Sequence, residues 1–137
     1  MDRRANAVTA SGSSEMASGT VANSTALLNG DAGIVCTIGS VSNSTASSNQ
    51  LYGIGAPTVT NCTASSNGGN CMVSIFGTVS NSNAVFNGST GISVLLGNVT
   101  GCISLNNKSN GITVSPGSVT NSTALSNGDD GISASSG

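Results

Sequence analysis

A chain of 137 residues with a net charge of −2, 6% charged and 2% aromatic residues, no Trp and no His is unlike an ordinary globular domain. Three basic residues, Arg3, Arg4 and Lys108, build no basic stripe for nucleic acid, and the lack of His excludes Ser-His and Cys-His nucleophile pairs. Low net charge with Val, Ile and Thr on a fixed period argues against a disordered linker.

Residues 1–18 match the later chain poorly and read as a degenerate first coil or N-terminal extension. Within them NAVTA, residues 6–10, reads as a decayed partial coil with Arg3 and Arg4 near its exposed end. No apolar h-region follows the opening charges, so no signal peptide is read. No apolar run reaches the roughly 18 residues of a membrane span.

From residue 19 to residue 137 one unit recurs six times. Its anchors are Val21, Val41, Val59, Val79, Val99 and Val119, spaced 20, 18, 20, 20 and 20 residues apart. Eight residues after each Val stands Asn29, Asn49, Asn67, Asn87, Asn107 or Asn127. Two residues after each Val stands Asn23, Asn43, Asn61, Asn81 or Asn121, with Gly101 the exception. A small residue follows (Ser, or Cys62 and Cys102), then Ala, with Ser104 in the fifth copy. A Gly-Ile pair closes each unit except the third, which has Cys71-Met72. Each copy opens on Gly, or on Pro57 in the third. The second copy is two residues short, and the gap falls after Ala56.

The pattern within a unit has period two. Thr58-Val59-Thr60, Ser122-Thr123-Ala124 and Ile112-Thr113-Val114 each alternate over about three residues, with Asn and Gly between. No helical period survives that punctuation. Each unit therefore supplies about three short strands and three bends, and stacked units share a core that one alone cannot form. Asn tolerates the left-handed backbone of a sharp bend, and stacked amides can bond from coil to coil as a ladder. Gly serves the other bends. The inward rows are Val, then Ser/Cys and Ala, then Ile; bulky Ile38, Phe76, Leu95 and Leu96 gather near the last bend. The fold class is all-β, a parallel β-solenoid of about six coils of roughly 20 residues.

The unit V-x-N-S-T-A-x-x-N-x-x-x-G-I resembles the right-handed parallel β-helix repeats of the pectate-lyase-like superfamily, over nearly the whole of 19–137. The resemblance implies that right-handed fold. It leaves activity open, because the superfamily spans polysaccharide lyases and hydrolases, tailspikes, adhesins and uncharacterised repeat proteins. A lyase of that kind would show calcium-binding acids beside a basic catalytic residue, and Arg3, Arg4 and Lys108 match no such site.

No catalytic or metal site is expected. Asp31 and Asp129 share a repeat position but stand five coils apart, roughly 24 Å at about 4.8 Å per coil. Two-carboxylate glycoside chemistry works at about 5–10 Å. Cys36, Cys62, Cys71 and Cys102 lack zinc-finger spacing, so no cofactor is implied. Cys62 and Cys102 share an inward row two coils apart, too far for a disulfide, and are expected as buried free thiols. Cys62 with Cys71 is the one pair placed to bridge across a coil. Seven sequons occur, at Asn23, Asn43, Asn61, Asn87, Asn98, Asn107 and Asn121. Six lie on ladder positions, where burial is expected to exclude a sugar.

Two surfaces remain. Residues flanking the Val row, Thr20, Ser40, Ser42, Thr58, Thr60, Thr78, Ser80, Thr100, Ser118 and Thr120, should form a flat uncharged hydroxyl grid. That grid resembles the water-ordering face of ice-binding β-solenoids and would also suit a polysaccharide. A second outward row, Thr25, Thr45, Thr63, Asn83, Ile103 and Thr123, is similar. The coil ends are the other surface. No amphipathic capping helix is read, and Gly137 is a residue that would open another unit. The expected role is therefore non-enzymatic and structural, in an extracellular or cell-surface setting. The partners expected are a second copy stacked head to tail in a filament, or adjoining coils of a stalk.

Overall fold

The computed structural model describes Arg4–Ala5, Ser14–Met16 and residues 19–135. Each unit folds into one coil with three short strands, and like strands of successive coils pair in parallel, making three sheets. The first sheet carries the Val row, in Gly19–Ala22, Gly39–Ser42, Thr58–Thr60, Gly77–Ser80, Gly97–Thr100 and Gly117–Thr120. The second carries the Ala row, in Thr25–Leu27, Thr45–Ser47, Thr63–Ser65, Asn83–Val85, Ile103–Leu105 and Thr123–Leu125. The third carries the Ile row, in Ile34–Cys36, Ile54–Gly55, Met72–Ser74, Ile92–Val94, Ile112–Val114 and Ile132–Ala134. Register follows the repeat without slippage: Val79 pairs with Val59 and Val99, Ala84 with Ala64 and Ser104, Ile92 with Met72 and Ile112. The partial coil expected at residues 6–10 lies outside the described residues. The strands Arg4–Ala5 and Ser14–Met16 extend the first and third sheets, pairing with Thr20–Val21 and Ile34–Cys36.

Alternation makes this stack stable. Val41, Val59, Val79 and Val99 are fully enclosed, as are Ile54, Met72, Ile92 and Ile112. Ala26, Ala46, Ala64 and Ala84 fill the narrow space behind the second sheet. No charged side chain enters this core among the described residues, where an unpaired charge would be costly.

The two asparagine rows have separate tasks, which corrects the expectation of one kind of ladder. The earlier row turns the corner. Asn23, Asn43, Asn61, Asn81 and Asn121 have φ of 48–54° and are exposed. Gly101, the exception in sequence, holds φ 63° at the same corner. The later row is the buried ladder. Each Nδ2 donates to the next Oδ1 through Asn29, Asn49, Asn67, Asn87, Asn107 and Asn127, at 2.6–3.1 Å. Each backbone N–H donates to that same Oδ1 at 3.0–3.1 Å. From Asn49 onward each Nδ2 also donates back to a carbonyl of the preceding coil. The ladder residues themselves are not left-handed. The residues before them are: Leu28, Ser48, Ser66, Phe86, Asn106 and Ser126 have φ of 54–58°.

The glycine of the Gly-Ile pair is needed for closeness, not for its backbone angle. A Cβ at Gly53 would meet Asn67 Nδ2 and Cys71 O, both at 2.7 Å. The ladder amide lies directly over that glycine. In the third copy Cys71 stands there, and its thiol donates to Ala64 O at 2.9 Å.

The bulky residues of the last bend are at the bend but outside the core. Ile38, Phe76, Leu95 and Leu96 are all exposed, forming an apolar ridge along one edge of the stack. The two missing residues of the second copy are missing from this ridge. There the strand shortens to Ile54–Gly55 and the chain crosses directly through Ala56 to Pro57. Ser74 replaces the Val of later coils at the adjoining inward position and donates to Pro57 O at 2.9 Å, a second bond to a carbonyl that also accepts Thr78 N–H at 3.1 Å.

Candidate functional site

The hydroxyl grid forms on the outer face of the first sheet. Thr20, Ser40, Thr58, Thr78 and Ser118 fall in one line with Asn98, and Ser42, Thr60, Ser80, Thr100 and Thr120 in a second with Ala22. The two lines stand about 7 Å apart with steps of about 4.8 Å. The grid is less available than its sequence suggests. Thr58, Ser118 and Thr120 are exposed and the other seven are half-buried. Hydroxyls also bond along the stack: Thr60 with Ser80 at 3.1 Å, Thr120 to Thr100 at 3.0 Å, and Ser118 to Asn98 Oδ1 at 2.7 Å. In the second outward row, Ile103 is 42% exposed and interrupts the polar line.

The four cysteines are buried and free, so the Cys62–Cys71 bridge does not form. The Cys62 and Cys102 thiols donate to carbonyls within the stack, taking over the part of the serines in that row. Burial pushes all four thiols up from their ordinary pKa, Cys71 most strongly. Such thiols are poor nucleophiles and poor metal ligands. Among the described residues no three of His, Cys, Asp and Glu gather to hold a metal ion. Asp31 and Asp129 lie in the first and sixth coils, and Asp129 accepts a hydrogen bond from Ser109 at 2.9 Å.

The sequons divide as the asparagine rows do. Asn87 and Asn107 are buried in the ladder, as expected. Asn23, Asn43, Asn61 and Asn121 are exposed at the corner, so burial does not shield those four. That expectation treated two rows as one.

Of the ladder residues singled out from sequence, Val21 to Val99 and Asn29 to Asn107 are buried. The sixth coil differs. Val119 and Asn127 are half-buried and Ile132 is 45% exposed, where Ile112 is fully enclosed. The outer face of that coil presents the same rows that every other coil covers.

One feature escaped the sequence reading. The two-residue shortfall opens a notch in the apolar ridge, with a cavity of about 430 Å³. Its signals were present in sequence: the gap after Ala56, and Gly55 where neighbouring copies carry Val35 and Val73.

These features define a parallel β-solenoid repeat protein with an asparagine ladder. Among the described residues no helix is long and apolar enough to cross a membrane. No known protein family, no curated protein and no solved structure matches the chain.

Proposed function

We infer that the chain is a non-enzymatic structural module that lengthens by adding coil to coil. The carrying observation is the outer face of the sixth coil, where Val119, Ala124, Asn127 and Ile132 stand in register with buried rows and are partly open. A coil of the same kind fits that face best, because it would extend the Val, Ala, Asn and Ile rows together. Supplied by a second copy, such coils give a head-to-tail filament, since a heterologous contact of this kind does not close. Supplied within one larger surface protein, they give a stalk. Extracellular or cell-surface placement belongs to this reading. So does a right-handed coil as in the pectate-lyase-like superfamily, in keeping with the strong right-handed preference of parallel crossovers. Negative-stain imaging with light scattering tests the module on its own. Rods of varying length, shortened by Ile132→Lys, are expected; monodisperse particles at high concentration with the fold intact overturn the filament.

The register of the Ser/Thr grid favours a second reading, binding of ice or a polysaccharide. Its half-buried, mutually bonded hydroxyls weigh against strong binding. Thermal hysteresis and glycan titration of the folded chain test it; no response in either removes it.

A further inference from the structure

We propose that the notch in the apolar ridge is a binding pocket for a small, flat, uncharged aromatic ring. Four observations converge on it. The first is its origin. Successive coils project a pair of residues at this bend, Thr37–Ile38 in the first coil and Ile75–Phe76 in the third. The second coil lacks its pair, so the walls stand two coil steps apart, about 9.6 Å. A ring midway between them sits about 4.8 Å from each wall, which on the third-coil side is inside the roughly 4.5–7 Å at which it can pair with an aromatic ring, that of Phe76.

The second is the floor. Gly55 is paired with Val35 on one side and Val73 on the other, on the outward row of the third sheet. A Cβ built at Gly55 meets nothing within 4 Å. The glycine therefore answers no steric demand of the fold there, and what its missing side chain leaves is space.

The third is the lining. The chain has three aromatic residues, and two of them, Tyr52 and Phe76, face this one cavity with Val35, Pro57 and Val73. Both aromatic rings are partly exposed although the core beneath is small and aliphatic.

The fourth is charge. Among the described residues no carboxylate, amine or guanidinium lines the cavity, and its polar side-chain groups are the hydroxyls of Thr37 and Tyr52 and the thiol of Cys36. That lining suits an apolar ring with at most one polar substituent. It suits a sugar poorly, because a sugar needs partners for several hydroxyls. A volume of about 430 Å³ is in the range of ligand pockets and holds one or two fused rings.

The test uses indole as the probe and the intact chain, followed by NMR. Tyr52 is the sole tyrosine, and Val35 and Val73 supply methyl reporters. The expected result is a saturable shift of these three residues with a Kd of about a millimolar or tighter. Gly55→Val fills the floor and restores the valine row of its neighbours. It should weaken indole binding at least tenfold while the unfolding temperature holds or rises. Phe76→Ala should weaken binding several-fold and leave the fold intact, since the ring is exposed. Cyclohexanol and methyl glucoside should bind at least tenfold more weakly than indole. The proposal is overturned by any of three results: no saturable shift with indole, unchanged binding in Gly55→Val, or binding of cyclohexanol or methyl glucoside as tight as that of indole.

Discussion

Two rows of the same residue, at the same 20-residue spacing, do opposite work in this stack. Asn61 and its equivalents sit at an exposed corner and supply a left-handed backbone. Asn67 and its equivalents are buried, have ordinary backbone angles and supply hydrogen bonds from coil to coil. The corner row is chosen for what its backbone tolerates. The ladder row is chosen for an amide that both donates and accepts, which is why no copy replaces it. Glycine is accepted at the corner, at Gly101, because it meets the same demand with no side chain at all.

The largest expected effect breaks the ladder. Asn87→Ala removes the acceptor of Asn67 N–H and Nδ2 and the donor to Asn107 Oδ1. Asn67 N–H loses its partner, while Asn67 Nδ2 keeps Ala46 O and Asn107 Oδ1 keeps Asn87 N–H, so at about 1–3 kcal/mol for a buried group left unpaired, with the lost ladder bonds added, the loss should be about 2–3 kcal/mol in denaturant unfolding. A loss no greater than that of a corner substitution would erase the distinction between the rows.

The next effect concerns pH and the four buried thiols. Burial raises all four thiol pKa values in the folded chain, so protons are held there that the unfolded chain releases. Their contribution is intact below the unfolded thiol pKa of about 8.5 and is lost as pH rises toward the folded values. Thermal unfolding between pH 8 and pH 11 should show a falling midpoint, with the fall smallest in Cys71→Ala, which removes the thiol that burial shifts most. A flat profile in the unmodified chain contradicts the burial.

Corner substitutions come third. Asn61→Ala places an ordinary side chain at φ 54° and should cost about 1–2 kcal/mol. Asn61→Gly should stay within about 0.5 kcal/mol, as Gly101 suggests. The smallest effect is Phe86→Gly. It relieves a left-handed aromatic at φ 58° while adding chain entropy to the unfolded state, and the two should cancel to less than about 0.5 kcal/mol in denaturant unfolding.

The period, the three strands per coil, the register and the buried Val, Ala, Ile and late Asn rows were all legible in the sequence. Each recurs in at least five of the six copies, and repetition turns a weak local pattern into a strong one. The division between asparagine rows had one signal in the sequence, Gly101 in the corner row against an unbroken ladder row; everywhere else both rows show the same letter at the same spacing. The left-handed row at Leu28, Ser48, Ser66, Phe86, Asn106 and Ser126 was not legible. Those residues share no chemistry, so the stacked coils and not local preference set their backbone. Ile38, Phe76, Leu95 and Leu96 could be placed at the last bend from sequence, but not on its outer side, because the core is already filled by smaller residues. The notch was written as a plain two-residue gap. Its meaning depends on what stands above and below it, which only the stack supplies.

The central claim is that the sixth coil's outer face accepts another coil. Sedimentation velocity of the purified chain from micromolar to millimolar concentration tests it most directly. The weight-average sedimentation coefficient should rise with concentration without reaching a fixed limit, and Ile132→Lys should hold it at the monomer value. A single monomer boundary across the whole range, from a chain whose strand signal is intact, contradicts the claim.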